Sequence, residues 1–289
     1  MQFSSKENMD KKQEIKPGLY VVSTPIGNLQ DITLRAIYIL KNSELILCED
    51  TRISTKLLKK FNISTEIISY HKFNEKKRLG KIIQLIKNNK IVSLISDAGT
   101  PVISDPGMIL IKECIKNNIT LHSIPGPSAV TSALSVSGFD EKFLFYGFLP
   151  NSESQIKNEI KNLCDFPYSI IFFVSSNKIN KVIKIFKMFF SERKIMIAKE
   201  MTKIYESFIR NDVNSLDVLK YNLKGELTVV ISNKLNVKKK SLNQLGESVK
   251  SEIKLMLKKY SNKDVSDFIS KREKISKKII YDYCISLKK

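Results

Sequence analysis

Four short stretches hold the residues best suited to chemistry: Pro25-Ile26-Gly27-Asn28, Glu49-Asp50-Thr51-Arg52, the run from Asp97 to Gly107, and Pro125-Gly126-Pro127-Ser128. The third packs two Gly, two Pro and two Asp into eleven residues. Glycine permits backbone geometry that a Cβ forbids and lets a ligand lie against the main chain. One Gly/Pro cluster is equally well a plain turn. Several of them at the ends of apolar runs point to a ligand site. The missing chemistry narrows its nature. Neither GxxxxGK[ST] nor GxGxxG occurs, so the usual phosphate cradles are lacking. Only two histidines, His71 and His122, are present, which gives a metal cluster or a Ser-His-Asp triad little to build on.

These loops need a scaffold, and the intervening pattern supplies one. Leu19–Thr24, Glu44–Cys48, Glu66–Ser69, the run from Ile91 and Thr120–Ile124 read as strands. Helical patterns separate them: one capped by Asp31 with Leu34, Ile37 and Tyr38 on its apolar face, then 53–60, 75–89, one opened by Asp105-Pro106 with Ile109, Ile111 and Ile115 inward, and 129–137. Alternation of this kind predicts a mainly parallel sheet covered on both faces. Such sheets bind ligands at the carboxyl ends of their strands, so the four loops share one rim. From Phe143 a second α/β unit follows, with more antiparallel character: strands 143–149, 168–174, 194–198, one around Phe208, and 226–231.

The remainder predicts helices: 245–260, then two short ones, 262–270 and 276–287, that look like a helix-turn-helix or a plain capping unit. Net charge is +20, with 49 basic residues of which six are Arg. Lys, Ile and Asn share A/T-rich codons, so base composition competes as a source of this charge. Its distribution says more. From Lys234 onward 16 basic residues face 6 acidic ones, which predicts a surface turned toward a polyanion. Residues 1–16 are polar, without the apolar core of a signal peptide, and predict a tail. No apolar run approaches a membrane span, and four isolated cysteines fit a reducing cytoplasm.

A Gly/Pro-rich rim without phosphate machinery suits a nucleoside ligand that carries no phosphate, such as S-adenosylmethionine. The motifs TPIGNLQDITLRA, CEDTR, HKFNE, SDAGTPVISDPG, PGPSAVTSAL, GFLP, AKEMTKIYE and KGE, in this order from about residue 18 to 232, resemble the small-subunit rRNA methyltransferases of the tetrapyrrole (precorrin-type) methylase superfamily. The resemblance implies two α/β domains, 17–128 and 129–235, with a cofactor cleft between them, and a small basic helical subdomain at 236–289. It further implies a cytoplasmic homodimer that uses S-adenosylmethionine to methylate the ribose 2′-oxygen of a decoding-centre cytidine in 16S rRNA of the small ribosomal subunit.

Carried onto this sequence, the resemblance puts Pro25, Asp97, Ala98, Gly99, Ile103, Ser104, Asp105, Ser128, Ala129, Leu149, Gly225 and Glu226 at the cofactor, and no metal. A ribose hydroxyl is a poor nucleophile, so a general base helps. Lys199 and Glu200 are the first candidates, then Glu49 and Asp50, with Glu206 also near. Arg52 reads as a phosphate contact and His71 as a base or ribose contact. The sequence departs from the family at Val174 and Asn177, where Glu and His are usual. Two alternatives stay open: a tetrapyrrole methyltransferase, or an RNA-binding assembly factor without catalysis.

Overall fold

The structure is a computed structural model that describes residues 15–217, 225–234, 245–273 and 275–287. Most of the expected tail, 1–14, lies outside the described residues. Of its last two residues, Ile15 packs on the first sheet's core and the Lys16 carbonyl accepts the Tyr20 hydroxyl, 2.8 Å. The chain divides at Asn233 into two compact units, described separately.

The first unit contains two five-stranded sheets. In the first, β1 (Gly18–Val22), β2 (Leu45–Cys48), β3 (Ile67–Ser69), β4 (Ile91–Leu94) and β5 (Leu121–Ile124) run parallel in the order β3-β2-β4-β1-β5. Its strands are apolar on both sides because both faces are covered. Tyr20, Val22, Ile46 and Cys48 pack with α1 (Leu34–Lys41) and α2 (Thr51–Lys60). Leu19, Leu45, Leu47, Val92 and Leu94 pack with α3 (Glu75–Lys87) and α4 (Met108–Lys116).

Two helix starts differ from expectation. Thr33, not Asp31, caps α1, its hydroxyl accepting the Ala36 N–H at 3.1 Å. Asp31 instead ends a 3-10 turn, Leu29–Asp31, capped by Asn28. With that start α1 buries Ala36, Ile39 and Leu40 and leaves Leu34 79% exposed. Likewise α4 begins at Met108, after Gly107 in a positive-φ conformation, and buries Leu110 and Cys114, with Ile115 outside.

The second sheet comprises β6 (Phe143–Phe148), β7 (Ser169–Ser175), β8 (Lys194–Lys199), β9 (Ser207–Asp212) and β10 (Glu226–Ile231), in the order β6-β7-β10-β8-β9. Only β6 and β7 pair in parallel; the other pairs are antiparallel. One face packs on α6 (Glu153–Leu163) and α7 (Ile179–Phe189). The other receives Val130 and Ala133 of α5 (Ala129–Ser137), the helix that directly follows the first sheet's last loop. Ile26, from the turn after β1, also packs into this face.

A bulge shapes β6. Its register against β7 shifts between Phe145 and Gly147, and Gly147 has φ +87°. Residues three apart on a regular strand face opposite ways. The extra residue brings both Phe145 and Phe148 against Phe173, with ring centroids 5.0 and 5.3 Å away.

In the second unit, α8 (Glu247–Met256), α9 (Asn262–Glu273) and α10 (Lys277–Ser286) bury Leu245, Ile253, Val265, Ile269, Ile280 and Cys284. Among the described residues from Lys234 onward, ten basic residues face six acidic ones. Arg272 pairs with Glu252 and Glu273, and Lys277 with Asp267. Most of the excess charge counted from Lys234 therefore belongs to segments outside the described residues. Among the described residues no helix is long and apolar enough to cross a membrane.

Candidate functional site

The carboxyl ends of β1, β4 and β5 are laced together. Thr24 and Gly99 exchange backbone hydrogen bonds at 2.8 and 3.0 Å. The Ser23 and Thr100 hydroxyls are 3.0 Å apart, and Thr100 donates to the Pro127 carbonyl at 3.2 Å. The loop after β4 holds two non-glycine residues in the left-handed region, Val102 (φ 73°) and Ser104 (φ 70°). The loop after β8 holds two more, Glu200 (φ 50°) and Thr202 (φ 65°). Such geometry costs on the order of 1–3 kcal/mol per residue, and it collects at ligand sites.

Those two loops face one cavity of about 280 Å³. The first sheet's rim contributes Ile26, Ala98, Gly99, Thr100, Ile103 and Asp105; Ser128, Ala129 and Val130 follow from the start of α5. The second sheet contributes Phe148, Phe173, Ala198 and Thr228, and its loop Glu200, Met201 and Lys203. The walls are mostly apolar, with carboxylates at Asp105 and Glu200. Lys203 Nζ lies 3.1 Å from Glu200 Oε1. Close backbone approach sets the outline: a Cβ on Gly225 would lie 2.6 Å from Glu200 Oε1, and one on Gly147 3.0 Å from Ser104 Oγ.

Of the residues expected at the cofactor, Ala98, Gly99, Ile103, Asp105, Ser128 and Ala129 line this cavity, as does Glu200 from the base candidates. Pro25 is buried beneath the rim, and Leu149 belongs to the core of the second sheet. Ser104 lies between the lining residues Ile103 and Asp105 and packs close to Gly147, and Gly225 packs close to the lining residue Glu200. The backbone of Glu226 opens β10, while its side chain lies outside the described residues. Lys199 ends β8, paired with Leu227 and Ser207. Sequence reasoning missed the aromatic wall of Phe148 and Phe173. Its only signal was FLFYGFL, which does not reveal the bulge.

A second cavity, about 460 Å³, opens at the ends of β2 and β3. Glu49, Asp50, Thr51, Arg52, Ser69, His71, Lys72, Phe73 and Asp97 line it. It therefore brings together Glu49, Asp50 and Arg52 from the turn after β2 and His71 from the loop after β3. Asp97 faces this cavity rather than the first; its Oδ1 accepts the Asp50 N–H at 3.1 Å. The step from Asp97 to Ala98 thus separates the two cavities.

The two carboxylates after β2 differ sharply. Asp50 caps α2 and accepts two side-chain donors from Arg52, the shortest at 2.6 Å. These hydrogen bonds hold its carboxyl down at about 2, so it stays ionised and makes a weak base. Glu49 moves the other way: burial raises it first, and the neighbouring Asp97 carboxylate raises it further. Burial also raises Asp97. Among the described residues no group of His, Cys, Asp and Glu could hold a metal ion.

Val174 lies on the side of β7 away from this chemistry, and Asn177 follows the end of that strand. Val174, 2% exposed, points into the core with α6 and α7, whereas its neighbour Phe173 faces the cavity. Asn177 Oδ1 accepts the Ser175 hydroxyl at 2.7 Å.

Two unlike sheets thus join at a Gly/Pro rim, with a cavity walled by both. A family described as Tetrapyrrole (Corrin/Porphyrin) Methylases matches residues 18–217. The fold is shared with a uroporphyrin-III-C-methyltransferase from Thermus thermophilus (TM-score 0.54, 14% identity, 78% of this chain and 98% of that one). It is also shared with a cobalt precorrin-4 methyltransferase (TM-score 0.57, 16% identity, 74% and 94%). Nearer relatives carry the name ribosomal RNA small subunit methyltransferase I. That of Rickettsia prowazekii is 44% identical over 79% of this chain and 83% of its own. The Thermotoga maritima relative is 42% identical over 75% and 98%, and one from Buchnera aphidicola subsp. Acyrthosiphon pisum 37% over 92% and 96%. The chain belongs to the ribosomal RNA small subunit methyltransferase I family of the tetrapyrrole methylases.

Proposed function

We propose that this protein transfers a methyl group from S-adenosylmethionine to 16S rRNA of the small ribosomal subunit, at the ribose 2′-hydroxyl of a decoding-centre cytidine. The observation that carries the reading is the pair of adjoining cavities, one apolar and glycine-lined, the other charged, divided by Asp97-Ala98. The first suits the donor. Its apolar walls accept an adenosine, its aromatic rings and carboxylates favour a cationic sulfonium, and nothing in it asks for a phosphate. The second suits a nucleotide, with Arg52 for phosphate and His71 for base or ribose. A sulfonium methyl is already activated, so much of the acceleration comes from alignment of the ribose oxygen. The protein works in the cytoplasm as a homodimer.

Incubation with labelled S-adenosylmethionine and small subunits from a strain lacking the enzyme tests this. Label recovered as 2′-O-methylcytidine is the expected result. Label confined to a tetrapyrrole, or RNA binding without label, would overturn it.

The C-terminal unit is an auxiliary polyanion contact in this reading. The Thermotoga relative is matched over 98% of its length by 75% of this chain, which leaves about a quarter of the chain unmatched. Recognition of rRNA is assigned first to the α/β unit, which carries the second cavity. Deletion of 240–289 is expected to weaken subunit binding, most strongly at low salt, and to spare donor uptake measured by calorimetry. Equal loss of both would remove the unit from this role.

A further inference from the structure

Phe73 is the feature of the second cavity that the reading above leaves unused. Its side chain is 97% exposed, yet its backbone is held firmly. The Phe73 N–H donates to His71 Nδ1 at 3.2 Å. The His71 N–H donates to Asn74 Oδ1 at 2.9 Å, and Asn74 Nδ2 donates to the Ser69 carbonyl at 3.1 Å. The Phe73 ring stands edge-on to His71, centroids 5.9 Å apart. A fixed turn that offers a whole aromatic ring to water forgoes the usual gain of burial, and here that ring lines the second cavity, where a ligand entering it can use the face. The chemistry around it specifies the partner. Lys72 and Arg52 flank the cavity with positive charge, and Arg52 is highly exposed despite its bond to Asp50. Cations beside an exposed aromatic ring are how proteins hold unstacked bases and their phosphates.

Resting on the reading of the protein as an rRNA methyltransferase, we propose that this cavity receives a single unstacked nucleotide, with Phe73 as its stacking surface and Glu49 as the acceptor of the ribose hydroxyl proton. The volume, about 460 Å³, lies within the ~300–1,000 Å³ of small-ligand sites. As the ribose oxygen bonds to the methyl carbon, its proton passes to the Glu49 carboxylate. The electron pair of the broken carbon–sulfur bond remains on sulfur, so the positive charge lost there is matched by the proton gained on Glu49. Asp97 acts as a positioning residue. Fixed by the Asp50 N–H, its charge raises the proton affinity of Glu49, with Asp50 adding and Lys72 and His71 opposing. Asp50 itself is engaged by Arg52 and caps α2, which leaves Glu49 to accept the proton.

The test uses the full chain and small subunits lacking the methyl group. Phe73→Ala is expected to raise KM for subunits, and to weaken their equilibrium binding, by about ten- to a hundred-fold, the worth of one stacked base. Its kcat and donor affinity should hold within about threefold, and Phe73→Tyr should restore binding. Glu49→Gln is expected to lower kcat by roughly 10²–10⁴-fold, the usual worth of a general base, without change in either affinity. The single-turnover rate of the parent protein should climb with pH through a titration above the ordinary carboxylate range, and Glu49→Gln should abolish that climb. Wild-type KM in Phe73→Ala, or an altered oligomeric state with KM unchanged, would overturn the stacking role. A kcat within threefold of wild type in Glu49→Gln would overturn the proton acceptor. If the parent protein labels no RNA, the methyltransferase reading fails, while Phe73-dependent subunit binding still decides the nucleotide pocket.

Discussion

Arg193→Met is expected to lower the thermal unfolding midpoint by roughly 10 °C. Arg193 is 2% exposed, its guanidinium is spread over four backbone carbonyls, and the nearby Asp165 carboxylate favours its charge. One terminal nitrogen donates to Tyr168 at 3.3 Å and Ser232 at 3.0 Å, the other to Cys164 at 2.8 Å and Phe166 at 2.5 Å. The group lies over the Phe190 ring, 5.0 Å from its centroid. Burial pushes its pKa down, yet a guanidinium starts so high that it stays charged. The acceptors join the end of α6 to the start of β7 and the end of β10, and a helix C-terminus favours a cation. Methionine fills much of the volume and leaves those carbonyls without a donor. Each buried carbonyl left without a donor costs about 1–3 kcal/mol, and each kcal/mol shifts the midpoint by about 2–4 °C in a unit of this size. Arg193→Lys should fall between, since an ammonium cannot reach four carbonyls spread in one plane. A midpoint unchanged within ~2 °C would mean that water replaces the guanidinium.

Gly27→Ala is expected to weaken donor uptake about 10- to 100-fold while the fold survives. A Cβ there would lie 2.6 Å from Lys203 Cγ, 2.7 Å from Thr202 Oγ1 and 2.9 Å from the Met201 carbonyl. The lysine can swing away; the carbonyl of a loop already strained at Thr202 cannot. The turn and that loop also share a hydrogen bond, from the Asn28 N–H to Thr202 Oγ1 at 2.9 Å. Forcing them apart separates Ile26 from Met201 and Lys203, opposite walls of one cavity, and overpacking of this kind costs about 1–3 kcal/mol. Calorimetry with S-adenosylmethionine reads the loss. Gly80→Ala is the control. It sits within α3 with open space around it, so alanine there should stabilise by up to ~1 kcal/mol and leave uptake unchanged.

Much of the fold was legible because both sheets are buried on two faces. Runs such as Ile91–Leu94 and Ser169–Ser175 then read as strands, and even the more exposed edge strand β9 left its trace in Phe208 and Ile209. Helix boundaries fared less well where caps compete. Asp31 and Thr33 are both good caps, two residues apart, and the 3-10 turn that ends at Asp31 decided for Thr33 and set the buried face of α1. The rim loops announced the first cavity through their glycines. Its opposite wall came from the second sheet by contacts distant in sequence, which spacing does not encode. Asp97 illustrates the same limit: its motif is plain, but only the tertiary hydrogen bond to Asp50 turns it toward the other cavity.

The irregularity at Gly147 also says what kind of change this protein can absorb. A strand that delivers two rings to one target does so by counting residues. Loss of a single codon between Phe145 and Phe148 would swing the outer ring to the far side and breach a wall, though every side chain kept its identity. Conservative replacement of either ring by another large apolar residue would be gentler than any change of length. For a chain whose composition leans so heavily toward Lys, Ile and Asn, spelling can wander here, but the spacing cannot.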